Sequence, residues 1–321
     1  MKYLTVFLLI LLSLIGCQSQ ELIEVFNMIS AEDKTLPKLI SLRVEDQESA
    51  SVEFNENIKI NKIYLDSNPI SWEYITPSKV KIKFNQKLKV SQKYELYFIA
   101  QDLKGNTSSF LFTISGTNPN IPILKITELS SKGTDTQPER IELFAHSSGN
   151  TEGIYCANGT KGNESYGFTL PSIDVKRGDY IVIYWNSEPE KESFINKTGN
   201  TAYLVKADSP TKLATNNGCF VIYDSISGNG TILDALVYYD GEATTYSNLG
   251  SASVEKSYNE LKNEFEWFDE PVLAKFTTST RTINRYNGSD DTNRSADFYI
   301  CDTKGISFGN SNTETLYKPE I

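Results

Sequence analysis

The sequence is poor in the residues that most often carry chemistry. It contains one histidine and four cysteines in 321 residues. Catalytic zinc sites usually need two or three imidazole ligands, so the single His146 argues against a histidine-rich zinc centre. Cys156, Cys219 and Cys301 are too far apart for a C-x-x-C zinc knuckle or redox motif. These scarcities argue against the common metal and thiol enzymes.

Basic residues are scarce in the second part of the chain. Residues 119–321 contain 18 Lys and Arg against 28 Asp and Glu, a net charge of −10. Residues 32–118 contain 12 against 11, a net charge of +1. Nucleic-acid binding needs clustered Lys and Arg to meet the phosphates. We therefore expect no nucleic-acid partner, and we interpret the acidity as a solvated surface that keeps the protein soluble.

Only one long apolar run occurs, and it lies at the amino terminus. Lys2 precedes Leu4–Ile15, twelve residues interrupted only by Thr5 and Ser13. A helix of that length spans about 18 Å, well short of the ~30 Å hydrocarbon core of a bilayer. The run is therefore typical of a signal peptide at residues 1–16 and not of a membrane-spanning helix.

The end of this run resembles the lipobox of bacterial lipoproteins, because Leu14, Ile15 and Gly16 precede Cys17. The resemblance implies diacylglycerol on the thiol of Cys17, cleavage before that residue and a lipidated tether over residues 17–36. Each buried methylene contributes about 0.8 kcal/mol, and two or more acyl chains anchor a protein stably. An ordinary signal peptide with a chance cysteine is the alternative.

The lipobox also bears on where the protein resides. Gln18 is not the aspartate that retains lipoproteins at the inner membrane in some bacteria. We therefore expect a lipid-anchored protein of the cell envelope, at the outer membrane or cell surface rather than at the inner membrane.

Short strands separated by turns fill residues 37–118. Lys93–Ala100 and Ser109–Ile114 flank the turn Asp102–Asn106, where glycine and asparagine tolerate positive φ. This Asp-x-x-Gly-Asn turn and the upstream Phe54–Ile58 segment resemble bacterial Ig-like domains. The resemblance implies a β-sandwich that acts as a spacer or adhesion module.

A linker at residues 119–122 contains two prolines, which interrupt strands. Beyond it, Ile123–Leu129 and Glu139–Phe144 resemble the opening strands of lamin-tail domains. Later segments match that family in order: Gly167–Pro171, Lys176–Tyr184, Phe220–Asp224, Ile232–Tyr238 and Thr280–Arg285. The resemblance covers residues 123–312 and implies a second Ig-like β-sandwich, followed by a tail at 313–321. Lamin-tail domains occur as attachment or interaction modules and also as appendages of enzymes.

Loops at 186–217 and 242–278 exceed the usual length of that family, and the second of them contains a helical pattern. Apolar residues recur at spacings of three and four within Ser253–Phe268: Val254, Tyr258, Leu261, Phe265 and Phe268. This pattern predicts an amphipathic helix that packs across one end of the sandwich, with a partner-binding helix as the alternative. The predicted fold class is all-β: two Ig-like β-sandwich domains in tandem, the second with a short amphipathic helix in an insertion.

Oxygen-bearing side chains cluster near the carboxyl end at Asp290, Asp291, Asn293 and Asp297. Calcium takes such ligands, so these four residues form a hypothetical calcium site. Their spacing differs from that of an EF-hand, and Asx-rich loops commonly bond their own backbone. A loop closed by such internal bonds is therefore the alternative interpretation.

Two further features bear on catalysis and on disulfide formation. Gly305–Gly309 fits the G-x-S-x-G nucleophile elbow, but no histidine follows Ser307, and no strand–helix alternation surrounds it. We interpret it as a chance match. In an oxidising envelope two of Cys156, Cys219 and Cys301 could form a disulfide, although spacing does not say which two. Three buried, unpaired thiols are the alternative.

The sequence predicts a non-catalytic, membrane-anchored envelope lipoprotein that acts as a binding, adhesion or scaffold module. The alternatives are a metal-dependent hydrolase or phosphoesterase, and a carbohydrate-binding module that uses exposed aromatic residues such as Trp185 and Trp267. We expect no cofactor besides the covalent lipid on Cys17 and the hypothetical calcium ion. The expected partners are a membrane, through the lipid anchor, and a protein or glycan ligand.

Overall fold

The computed structural model describes residues 35–90, 92–227, 230–288 and 291–319. The predicted signal peptide, Cys17 and nearly all of the tether lie outside the described residues, as does Asp290. No helix in the described part of the chain is long and apolar enough to cross a membrane.

Eight strands among the described residues up to Ile114 form a β-sandwich. Its two four-stranded sheets have the strand orders β1-β2-β6-β5 and β4-β3-β7-β8 and share one hydrophobic core. Strand β7 alternates buried Tyr94, Leu96, Phe98 and Ala100 with more exposed residues, as expected for a strand with one face on a core. The strands are β1 Leu39–Val44, β2 Ser49–Phe54, β3 Ile58–Leu65, β4 Asn68–Pro69, β5 Ser71–Thr76, β6 Lys79–Lys83, β7 Tyr94–Asp102 and β8 Thr107–Ile114.

A second set of sheets follows Leu124 and encloses a core of its own. A seven-stranded sheet has the order β16-β17-β15-β10-β9-β21-β22, a five-stranded sheet has the order β13-β12-β18-β19-β20, and β11 pairs with β14. The strands are β9 Leu124–Ser130, β10 Arg140–Ala145, β11 Gly149–Asn150, β12 Tyr155–Asn158, β13 Gly167–Thr169, β14 Asp174–Val175, β15 Tyr180–Tyr184, β16 Ser193–Ile195, β17 Thr201–Lys206, β18 Gly218–Tyr223, β19 Ile232–Tyr239, β20 Val272–Leu273, β21 Ile283–Arg285 and β22 Phe298–Ile300. The predicted all-β fold of the sandwich type is confirmed, while the closer Ig-like and lamin-tail resemblances stay predictions.

The predicted helix is present as α1, Ala252–Glu264, and it packs against β18 and β19. It begins after Ser251, whose hydroxyl accepts a hydrogen bond from the Val254 amide at 3.3 Å. It ends earlier than the spacing predicts because Glu266 takes a left-handed conformation with φ of 57°. Phe268 therefore lies beyond the helix and is 65% exposed.

The outer face of the seven-stranded sheet is covered by the segment 302–317, which we call the C-terminal loop. Side chains alternate along β10, so that Ile141 and Leu143 enter the core whereas Arg140 and Glu142 point to the outer face. The C-terminal loop crosses that face and returns to β22, where Leu316 bridges to Cys301. The first residues of the predicted tail at 313–321 are thus packed on the domain.

Candidate functional site

Asp291 and Asp297, the two described acids among the predicted calcium ligands, lie close to the side chains of Arg285 and Lys125. The Arg285 guanidinium, 5% exposed, lies 2.8 and 3.0 Å from the two carboxylate oxygens of Asp234 and 2.8 Å from Asp291 Oδ1. Asp297 Oδ2 lies 3.7 Å from the same guanidinium, and Lys125 forms an ion pair with Asp291. In the described ranges, no three His, Cys, Asp or Glu side chains are grouped so as to hold a metal ion.

The other contacts of these residues also stay within the protein. Burial raises the pKa of Asp291, but the hydrogen bond from Lys125 and the charge of Arg285 outweigh it and leave that pKa below its usual value. Asn293 Nδ2 donates to the Phe265 carbonyl at 2.9 Å. Asp297 accepts hydrogen bonds from the amide and hydroxyl of Thr292. The geometry favours the alternative interpretation, an Asx-rich loop whose side chains bond within the fold.

The three described cysteines are free and buried. Cys156 on β12 stands opposite Ile222 in the sheet register and not opposite Cys219. Cys301 belongs to the other sheet, where its sulfur accepts a hydrogen bond from the Thr282 amide at 3.2 Å. Burial raises the pKa of the Cys156 and Cys219 thiols. The structure contains no disulfide among these three residues and corresponds to the alternative of buried, unpaired thiols.

The prediction that Trp185 and Trp267 are exposed residues suited to sugar binding is wrong. Trp185 and Trp267 are both 0% exposed. Trp185 packs edge-on against Phe220, and Trp267 stacks on Phe298 with ring centroids 6.3 Å apart. They are core residues because their large apolar surface is buried between the sheets.

Ser307 of the G-x-S-x-G motif fastens the C-terminal loop to the sheet. It is 8% exposed. Its amide donates to Glu128 Oε2 at 3.1 Å, and its Oγ lies 2.9 Å from the same carboxyl oxygen. Ser307 is therefore bonded to an acid of the sheet and not to a base. The motif serves as a contact between the C-terminal loop and β9.

Glu128 and Glu142 form a buried carboxyl pair beneath this loop. They stand directly opposite each other on β9 and β10 and are 1% and 0% exposed. A β-bulge at this point turns Thr127 to the same face, where its hydroxyl donates to Glu142 at 2.6 Å. The Gly309 amide donates to Glu142, and the Thr282 hydroxyl lies 2.6 Å from Glu128. Within the described part of the chain, neither carboxyl group forms an ion pair.

The environment of this pair favours protonation. Burial raises the pKa of Glu128 to about 7, although its hydrogen bonds with Thr282 and Ser307 oppose the rise. Burial also raises the pKa of Glu142 well above its usual value, and the charge of Glu128 adds to that rise. Like charges this close disfavour double ionisation. The pair therefore holds at least one proton near neutral pH.

Beside the loop tip, the outer face of the sheet forms an open groove of about 610 Å³. Its floor includes Arg140 and Tyr184, and Phe194 and Phe308 stand at its sides. Tyr184, Phe194 and Phe308 are half-buried residues. The groove has the size of a small-molecule site, and we treat it as the candidate binding site.

Arg140 is the central polar group of the groove. Its guanidinium carbon lies 4.3 Å from the Phe308 ring centroid and 5.7 Å from that of Tyr184, and Nη2 donates to Gln137 Oε1 at 2.8 Å. Cation–π contacts of this kind hold a guanidinium flat against a ring. Lys191 lies over the Phe194 ring at 4.6 Å. In the groove, aromatic rings thus lie next to positively charged hydrogen-bond donors.

The groove also contains acidic side chains and polar atoms that have no hydrogen-bond partner in the described part of the chain. Asp135, Glu188 and Glu190 are exposed at its rim. Two polar atoms of its wall, Arg140 Nε and Ser187 Oγ, are shielded from solvent and have no hydrogen-bond partner among the described residues. Such orphaned polar atoms are uncommon in folded proteins.

A family model described as "TP_1001_2nd: protein second domain" matches residues 122–300, more than half of the chain. The chain belongs to this family. The matched residues include the carboxyl pair and most of the groove, whereas Phe308 lies beyond them. This family domain therefore corresponds to the second set of sheets.

Three individual proteins resemble the chain. A Treponema pallidum (strain Nichols) protein named "Uncharacterized protein" is 27% identical over 180 residues, which are 51% of this chain and 45% of that protein. The chain thus spans about half the length of this relative. A solved DUF4876 family protein from Bacteroides thetaiotaomicron VPI-5482 is 12% identical, with 87% of this chain and 98% of that chain covered and a TM-score of 0.36. The surface glycan-binding protein PbSGBP-B from Prevotella bryantii is 12% identical, with 61% and 42% covered and a TM-score of 0.19.

Neither the carboxyl pair nor the groove is indicated by a local pattern in the sequence. Glu128 and Glu142 lie in the Ile-Thr-Glu-Leu and Ile-Glu-Leu-Phe segments, where an acid is flanked by core residues. That placement predicts an outward side chain but not the loop that covers it. Arg140 and Phe308 are 168 positions apart, and no local pattern brings them together.

Proposed function

We propose that the chain is a non-catalytic, lipid-anchored binding protein of the bacterial envelope whose second domain binds carbohydrate in the groove. The observation that carries this proposal is the set of three half-buried aromatic side chains, Tyr184, Phe194 and Phe308, that line one groove together with the Arg140 guanidinium. Aromatic faces carry partial negative charge and attract the C–H face of a sugar ring. A few polar groups then fix orientation, as in most ligand sites.

The charges of the groove favour a neutral or mixed-charge sugar. Arg140 and Lys191 supply donors, while Asp135, Glu188 and Glu190 supply acceptors at the rim. Sugar hydroxyls both donate and accept, so such a ligand uses both signs of charge. A strongly anionic ligand would meet Asp135 and Glu190, together with Glu188, which is ion-paired with Lys206. A strongly cationic ligand would meet Arg140 and Lys191.

The anchor in this proposal rests on Lys2, the apolar run Leu4–Ile15 and the lipobox cysteine Cys17. In an acyl-labelling experiment, labelled palmitate should enter the wild-type protein and should be absent from Cys17→Ser. Equal labelling of the variant would contradict the anchor. Because Cys17→Ser does not alter the groove, this experiment tests the membrane anchor separately from the ligand.

A glycan array tests the ligand. The detergent-purified protein should bind a defined subset of immobilised sugars, and Phe194→Ala should lose most of that signal because a stacking face is removed. Phe268→Ala, an exposed phenylalanine away from the groove, is the matched control and should bind as wild type does. A blank array, or equal binding by both variants, would refute carbohydrate binding in the groove.

A further inference from the structure

Two acids, which form no ion pair among the described residues, hold the tip of the C-terminal loop to the sheet, beside the hydrogen bonds of Asn312 and Asn196 to the loop and sheet backbone. Ser307 meets Glu128 and Gly309 meets Glu142, and the residue between them, Phe308, is a wall of the groove. We propose that Glu128 and Glu142 form a pH-sensitive fastening for the C-terminal loop. It holds the loop while the pair carries a proton and releases it when both carboxyl groups ionise.

The hydrogen bonds around Ser307 require a proton on Glu128. Asn312 Nδ2 donates to the carbonyls of Thr127 and Arg285 at 2.9 and 2.7 Å, which fixes Asn312 Oδ1 as an acceptor. Ser307 Oγ lies 2.8 Å from that oxygen and 2.9 Å from Glu128 Oε2. A hydroxyl has one hydrogen and cannot donate to both. A protonated Glu128 that donates to Ser307 Oγ, which in turn donates to Asn312 Oδ1, satisfies both of these contacts.

The basic groups near the pair do not replace this proton. Arg140 favours ionisation of both acids through its charge, yet it forms no ion pair with either among the described residues. Arg285, which lines the small cavity beside Glu142, is paired with Asp234 and Asp291.

The titratable groups that face the pair are uncharged over the relevant range. Burial lowers the pKa of His146 below its usual value, and nearby cations lower it further. The ring is therefore neutral at the pH values at which the carboxyl pair loses its proton. Burial raises the pKa values of Tyr180, Tyr299 and Cys301, so these groups stay protonated. The proton of the carboxyl pair is therefore the one that changes.

Loss of that proton places two negative charges opposite each other in a buried space. Burying an unpaired charge is costly, and release of the loop exposes both carboxylates to water. Release also withdraws Phe308 from the groove. If the groove binds carbohydrate as proposed above, affinity falls as pH rises; the loop release itself does not depend on that function.

Hydrogen exchange of residues 302–317 in the full-length protein, corrected for intrinsic exchange rates, tests this fastening. Wild-type protection should be constant at acidic pH and should fall up to about tenfold per pH unit once proton release is linked to opening. Glu128→Gln should keep the loop protected at pH values where wild type has lost protection, because only one charge can then form in the pair. Its neutral amide donates to the Ser307 hydroxyl, and its oxygen accepts from the Ser307 amide in the place of Glu128 Oε1. Glu192→Gln, an exposed site on the same domain, should follow wild type.

The outcomes separate this inference from the proposed function. Constant wild-type protection from pH 5 to 9, or an equal loss in Glu128→Gln, would overturn the fastening even if the protein binds sugars. A pH-dependent loop in a protein that binds no sugar would support the fastening and refute the function of the groove.

Discussion

The raised pKa of Glu128 predicts how the stability of the second domain depends on pH. Burial raises its pKa from 4.5 to about 7 in the folded protein. The folded state therefore binds more protons than the unfolded state between these values, so stability is complete below about pH 4.5 and decreases as pH rises through about 7. Glu142 changes stability in the same direction, because its pKa is also raised.

The magnitude follows from the interval between the two pKa values. About 2.5 pH units at about 1.4 kcal/mol per unit correspond to about 3.5 kcal/mol of unfolding free energy for Glu128. This is an upper limit, since release of the C-terminal loop hydrates the acid and limits the loss. In Glu128→Gln the contribution of this residue disappears, and the variant should become more stable than wild type above neutral pH.

Urea unfolding followed by tryptophan fluorescence measures this difference. Trp185 and Trp267 lie in the core of the second domain, so a Trp72→Phe background leaves fluorescence from that domain alone. The unfolding free energy should fall by up to about 3 kcal/mol more in the parent than in Glu128→Gln between pH 5 and pH 9. Equal pH dependence in the two proteins would refute the buried, protonated carboxyl.

Three other expectations follow from the same structure. Asp234→Asn should lower the unfolding free energy by about 3 kcal/mol, because it leaves Arg285 buried with less compensation; a loss below about 1 kcal/mol would show that the ion cluster is not important for stability. Leu261→Ala should cost about 2–5 kcal/mol through a cavity under α1, whereas a neutral effect would mean that the helix is not packed there. Cys156 and Cys219 should resist thiol reagents until the protein unfolds, since both are buried; rapid modification of the native protein would contradict this.

The fold was largely predictable because it rests on local periodicity. The apolar alternation of segments such as Lys93–Ala100 and the turn at Asp102–Asn106 predicts hairpin strands, and both are present in β7 and β8. The helical spacing of Tyr258 and Leu261 likewise predicts α1. Its end was misplaced because the left-handed conformation of Glu266, a residue with no strong preference for it, stops the helix.

The site was not predictable, because it depends on long-range contacts. Burial of Glu142 is imposed by Gly309, 167 residues later in the chain. Composition does not distinguish aromatic residues that line a groove from those of the core, so the sequence does not reveal that Trp185 is buried whereas Phe194 and Phe308 line the groove. Similarly, Asp291 is an acid in an Asx-rich loop by sequence, but Arg285 and Lys125 face it only in the folded protein.

The most direct test of the account is a chemical-shift map of the isotope-labelled protein titrated with the best sugar from an array. The largest saturable shifts should occur at the Arg140 guanidinium and at the amides of Tyr184 and Phe308. Shifts confined to other surfaces, or the absence of any saturable shift, would contradict carbohydrate binding in the groove.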